Sequence, residues 1–159
     1  MKRGGEFLVL LLLSCLATWA QQRPTLGENP SGPSLRGLRT FNTMDARRLR
    51  RVRTIFVEHI ENSLSEKLAE GLAKMGRFRI VDKRRDADAV LRGTCSDLRR
   101  LKSVHSEVYL ADSRADSTIW QDTVRRPYNP PPLDKVVGDT ALLIVQHLTD
   151  SLRQADRAQ

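Results

Sequence analysis

Residues 75–98 read "MGRFRIVDKRRDADAVLRGTCSDL", and the way this stretch is divided decides the fold. "RFRIVD" alternates, with Phe78 and Ile80 on one side and Arg77 and Arg79 on the other. "DKRRDAD" is a polar turn, and "AVLRGTCSDL" alternates again, with Ala89, Leu91, Gly93 and Cys95 sharing a side. A period of two over two runs separated by a polar turn predicts two strands, each with one side toward a core. The elements on either side must supply that core.

Upstream, "VRTIFVEHI" is β-branched and aromatic and predicts a strand over 52–58. "SLSEKLAEGLAKMG" follows as an amphipathic helix: Leu64, Leu68, Leu72 and Met75 form one stripe, and Gly76 suits a left-handed closing residue. Ser63 with Glu66 three positions on fits a capping box. Downstream, "SVHSEVYLAD" and "STIWQDTV" are alternating runs joined by "SRAD", the pattern of an antiparallel hairpin. "RRPYNPPP" carries too many prolines for helix or strand and predicts an extended loop. From Leu133 to near Gln154 a second helix runs with Val136, Val137, Thr140, Ala141, Leu143, Ile144, Leu148 and Leu152 on its apolar stripe. The order β-α-β-β-β-β-α over 47–156 predicts one α+β domain with two helices on one face of a mostly antiparallel sheet.

The chain begins with the parts of an export signal: Lys2 and Arg3, an apolar run from Phe7 to Ala17, and small residues near Ala20. That run is shorter than the roughly 20 residues a helix needs to cross a bilayer. Cleavage after Ala20 would make 1–20 a signal peptide and Gln21 the new terminus. The alternative is a lipobox in "LLSC" with lipid on Cys15, a poorer fit because Leu13 is bulky and "LATWA" continues apolar. Either way the protein is expected to be exported, periplasmic or associated with the outer membrane. Residues 21–46, rich in Pro, Gly, Ser and Asn, are expected to be a flexible linker.

The 159 residues carry 27 basic and 19 acidic side chains, a net charge of +8. In an exported protein such a balance points to anionic envelope material or to solubility, and not to nucleic acid. "DARRLRRVR" concentrates Arg47, Arg48, Arg50, Arg51 and Arg53 ahead of the first expected strand. It is either a solvated lead-in or a contact for anionic lipid or polysaccharide, where each basic side chain near an anionic surface contributes about 1 kcal/mol. Further arginine pairs stand at 84–85, 99–100 and 125–126. If the first 20 residues are removed, Cys95 is the one cysteine left; its place in an alternating run suggests a buried small hydrophobe.

The sequence has no G-x-S-x-G, phosphate-binding loop, H-E-x-x-H or paired C-x-x-C, and His59, His105 and His147 are scattered. No enzyme activity, cofactor or metal site is expected. His59 and Glu61 lack a third ligand nearby, and Asp86 and Asp88 fit a solvated turn better than a calcium loop. Two readings of Trp120 stand side by side: a packing residue of the sheet, or, with Arg77 and Arg79, an anchor for a partner on an uncovered face.

The strands also carry a resemblance. G-R-F-x-(I/V)-V-(D/E) matches residues 76–82, A-D-(A/Y)-V-(L/I)-x-G matches 87–93, and a hairpin with Asp and Trp matches 112–120. This series, over roughly 51–151, resembles the small βαβββα domains of bacterial envelope proteins: the amino-terminal domain of the TolB translocation protein, the periplasmic domain of the curli-secretion lipoprotein, and lipopolysaccharide-assembly lipoproteins. The motifs are structural. What the resemblance implies is a non-enzymatic envelope module that binds or assembles something, with another envelope protein or a second copy as partner. With neither a propeller nor pore-length strands expected, secretion and translocation roles are not implied.

Overall fold

The structure, a computed structural model, describes residues 40–128 and 132–158. It contains a mixed sheet of six strands with three helices, the α+β architecture expected. The strands are β1 (Phe41–Thr43), β2 (Thr54–Val57), β3 (Arg79–Ile80), β4 (Ala89–Leu98), β5 (Ser103–Asp112) and β6 (Thr118–Pro127). The helices are α1 (Ala46–Arg51), α2 (Leu64–Lys74) and α3 (Leu133–Arg157). Spatial order is β1-β6-β5-β4-β2-β3. β4, β5 and β6 form a continuous antiparallel ribbon, β1 adds antiparallel to β6, and β2 lies parallel to both β3 and β4.

The ribbon needs a cover because alternate residues on one side are apolar. Leu91, Val108, Leu110, Trp120 and Val124 are buried together with Leu49 of α1, Leu64, Leu68 and Leu72 of α2, and Val137, Ile144 and Leu148 of α3. Cross-strand register puts Leu91, Leu110 and Trp120 in one row, which fixes this side as the helix side. α2 and α3 also pack on each other, where the side chain of Val145 fills the space beside Gly71.

Four expectations are corrected. Arg125–Pro127, the start of the expected extended loop, continue β6 in pairing with β5. The linker does not extend to 46: Phe41–Thr43 is a strand and Asp45 caps α1 by accepting from the Arg48 amide at 2.8 Å. The capping box does not form, because Ser63 sits at φ 59° with no side-chain cap bond; Glu66 instead accepts from the Ser65 hydroxyl at 3.0 Å. The run expected as a strand over 77–82 pairs only at Arg79–Ile80. Gly76 does take the left-handed conformation, at φ 67°. The proposed signal peptide, the Cys15 lipidation site and the linker up to residue 39 lie outside the described residues.

Two carboxylates tie the sheet together. Asp88 Oδ2 accepts from the Arg53 and Thr54 amides at 2.9 Å each, while the Asp88 amide donates to the Thr54 carbonyl at 3.0 Å. The supposedly solvated turn therefore clamps the starts of β2 and β4 in parallel. Burial alone would raise the Asp88 carboxyl, but the Arg53 and Thr54 amides outweigh it and hold it below the ordinary carboxylate range. Where β2 ends, Glu61 Oε2 accepts from the Cys95 amide at 3.0 Å and the Asn62 side-chain amide donates to the Cys95 carbonyl at 2.6 Å. Side chains thus replace the missing neighbour strand.

Two outcomes are expected. A Cβ at Gly93 would collide with the Glu107 carbonyl oxygen and lie 3.0 Å from the Val108 Cα, both backbone atoms that cannot step aside. Gly93→Ala should therefore lower stability by at least about 1–3 kcal/mol, read as a shift of the urea midpoint. Because the Asp88 carboxyl is depressed in the folded state, its contribution is present above the ordinary carboxylate range and is lost as pH falls through and below it. Asp88→Asn should flatten the acid limb of a stability-versus-pH curve; an unchanged limb would contradict the clamp.

Candidate interaction surface

The side of the sheet opposite the helices is built by the alternate positions of the same strands. Register places Arg92, Tyr109 and Gln121 in one row, and Thr94, Glu107 and Thr123 in the next. Ser96, His105 and Arg125 form a third. All nine are half-buried or exposed, and among the described residues no helix covers them. At the centre, Glu107 accepts from the Tyr109 hydroxyl at 3.0 Å and lies 3.1 Å from His105 Nε2. The His105 and Tyr109 contacts hold the Glu107 carboxyl below its ordinary range, and Glu107 in turn raises the Tyr109 phenol. This surface is polar, pre-ordered by its own hydrogen bonds, and has one aromatic ring at its middle.

Trp120 is not on that surface. It is fully buried on the helix side, and its indole N–H donates to the Ser151 hydroxyl of α3 at 2.9 Å. The reading of Trp120 as an exposed anchor is therefore wrong, and the packing reading holds. Next to it, Asp122 is buried with Oδ2 at 2.7 Å from His147 Nδ1, and His147 is tilted against Phe41 with ring centroids 4.6 Å apart. His147 is a packed histidine that seats β1 against α3. Among the described residues no three His, Cys, Asp or Glu side chains gather closely enough to hold a metal ion. His59 instead lines a cleft of about 380 Å³ at the ends of β2 and β3, with Glu66 and Asp82, while Glu61 turns away to β4.

The arginines separate into two kinds. Arg48 pairs with Asp112 at 3.3 Å, Arg84 with Glu58 and Asp116 at 3.2 Å each, and Arg92 with Asp116 at 3.0 Å. These three surround the β5–β6 turn and are committed to holding it. Arg77 is also not outward-facing: Nη1 pairs with Asp156 of α3 at 3.2 Å and Nη2 donates to the Arg50 carbonyl at 3.4 Å. Arg79 is exposed at the β3 edge. Arg47, Arg50, Arg51, Arg53 and Arg79 make no ion pair among the described residues. Arg47–Arg53 as one binding run is thus broken at Arg48.

Sequence reading did not single out His105, Glu107 and Tyr109. The signal was there, because they occupy alternate positions of "SVHSEVYLAD" opposite to Val104, Ser106, Val108 and Leu110.

No family model and no curated protein matches the chain. Solved structures do. The chain is similar in fold to the PelC dodecamer from Paraburkholderia phytofirmans, at 18% identity over 69% of this chain and 96% of that one, with a TM-score of 0.52. Lipoprotein GNA1162 from Neisseria meningitidis matches at 14% identity over 62% and 98% of the two chains, with a TM-score of 0.41. A DUF4136 family protein from Bacteroides thetaiotaomicron matches at 11% identity over 73% and 94%, with a TM-score of 0.40. At these identities the likeness concerns the fold alone, and the particular group suggested by the motifs is not among these structures.

Trp120→Ala should cost about 3–5 kcal/mol, the range for removing a large buried aromatic side chain. Trp120→Phe, which keeps an aromatic ring but removes the N–H that the Ser151 hydroxyl accepts, should cost less. Equal stability of wild type and Trp120→Ala in denaturant would show the indole is not packed. Burial pushes the Cys95 thiol up, against the Ser106 hydroxyl that donates to its sulfur at 3.4 Å. Native protein should therefore react with a small thiol reagent far more slowly than unfolded protein does.

Proposed function

We propose that the chain is an exported, non-enzymatic protein of the bacterial cell envelope, periplasmic or associated with the outer membrane, whose α+β domain works as an assembly module by associating with copies of itself. The observation that carries this reading is the bare sheet face centred on Tyr109, Glu107 and His105. A wide, pre-ordered polar surface with an aromatic at its centre suits a protein interface, since tyrosine and arginine are enriched there and the ordering has been met before contact. The likeness of fold to a protein solved as a dodecamer supports it, as does the export-type amino terminus.

The test is sedimentation velocity and native mass spectrometry on the full chain. The expected result is one defined oligomer, reduced toward monomer by Tyr109→Ala with the unfolding midpoint nearly unchanged. A protein that stays monomeric at the highest soluble concentration would remove the reading, and an oligomer indifferent to Tyr109→Ala would move the contact off this face.

A further inference from the structure

The carboxyl end of α1 collects more positive charge than it can neutralise. The Arg50 carbonyl accepts from Arg53 Nη1 at 3.1 Å and from Arg77 Nη2 at 3.4 Å, so two guanidinium groups share one neutral oxygen. Nη1 of the Arg50 side chain is buried without an acceptor among the described residues. Arg77 Nε is buried without an acceptor as well. Among the described residues, the carboxylate that engages these guanidinium groups is Asp156, at 3.2 Å from Arg77 Nη1, while Asp88 meets Arg53 only at its backbone amide. The Arg53 and Arg77 guanidinium groups, brought to one oxygen, carry like charges that repel one another. At the β5–β6 turn, by contrast, Arg84 and Arg92 gather around an acid, Asp116.

We propose that Arg50, Arg53 and Arg77 form a binding site for a phosphate group. A tetrahedral oxyanion offers several acceptor atoms to guanidinium forks, which match phosphate in a bidentate manner and strengthen each hydrogen bond by charge. Bound there, it supplies the missing countercharge and takes the N–H groups left over after Arg50 O and Asp156 have been served. The group is either that of a soluble phosphate compound or the headgroup of an anionic lipid, and both present the same oxygens. Arg51 and Arg47 on the same helix are exposed and add to the local field. The inference goes beyond the assembly reading and does not depend on it.

The experiment uses the full chain and follows arginine Nε–H and backbone amide signals by NMR as inorganic phosphate or pyrophosphate is added. A parallel arm measures cosedimentation with vesicles of phosphatidylglycerol in phosphatidylcholine. The expected result is saturable movement of the Arg50, Arg53 and Arg77 signals in at least one arm. Saturation with free phosphate alone assigns a soluble ligand, and binding to vesicles with no response to phosphate assigns the headgroup. Arg53→Gln should weaken the interaction by about tenfold, the loss of one charged hydrogen-bonding group. Arg53→Lys, which keeps the charge but not the fork, should recover only part of it. Arg126→Gln, exposed on β6, should change it less than about twofold, as expected of a remote screened charge. A heat-unfolding trace of each variant separates loss of binding from loss of fold. Equal weakening by Arg126→Gln, or no saturable response in either arm, would overturn the proposal in favour of diffuse charge.

Discussion

The burial of Trp120 between the antiparallel ribbon and α3 is the contact on which the rest of the structure depends. The indole sits opposite Leu110, its N–H is satisfied by Ser151, and the Ser151 hydroxyl itself donates to the His147 carbonyl at 2.9 Å. That arrangement sets the rotation of α3 and so the position of His147, which meets Asp122 and Phe41. β1 is therefore held through a side chain of the last helix as well as by its three-residue ladder with β6. A β-bulge between Leu110 and Ala111 adjusts the register that brings this about. Without it the side chains of β6 would change faces, since a slip of one residue exchanges the two sides of a strand.

The same bulge explains what was legible in the sequence and what was not. Strands β4, β5 and β6 and helices α2 and α3 follow from periodicity, because their apolar positions recur at two or near 3.6 residues. The side on which Trp120 lies does not follow. Ile119 and Trp120 are consecutive and both buried, and the position two after Trp120 is Asp122, a residue that reads as solvent-facing. Only the partner His147, 25 residues away, makes a buried Asp122 reasonable. β1 was missed for a related reason: "FNT" has too little pattern to signal a strand, and its stability comes from Phe41 against α3. Ser63 fails as a cap because Asn62 and Ser63 both take positive φ. That turn lets Glu61 and Asn62 reach Cys95, a tertiary demand that overrides local preference.

Arginine content was visible in the sequence, but its division into committed and uncommitted groups was not. Arg47, Arg48, Arg50, Arg51 and Arg53 look equivalent along the chain. Four of them lie on a six-residue helix and Arg53 just beyond it, and of the five Arg48 alone meets the acidic β5–β6 turn. Counting basic residues therefore overstates the electrostatic reach of this segment, because a paired guanidinium contributes little field at a distance while an unpaired one keeps all of it. Among the described residues, the arginines without an ion pair include Arg47, Arg50, Arg51 and Arg53 in and just after α1, but also Arg100, Arg125 and Arg126 elsewhere and Arg114 in the β5–β6 turn itself.

How the sheet ends bears on how copies of the chain would meet in the proposed assembly. β1 has three residues and β3 two, so neither outer edge offers a ladder of useful length. The longer edge exposed where β2 stops, along the second half of β4, is occupied at Cys95 by Glu61 and Asn62. Short strands and side-chain plugs are the means by which proteins keep edges from pairing. β6 past Thr123 has a similar defence: Arg125 and Arg126 stand on it and Pro127 has no N–H to give. With every edge blunted, extension of the sheet from one molecule to the next is disfavoured, and the broad face remains as the surface on which side chains can meet across a contact. On that face Glu107 has already arranged Tyr109 and His105, so a partner finds donors, acceptors and a ring in place, and little side-chain entropy is left to lose.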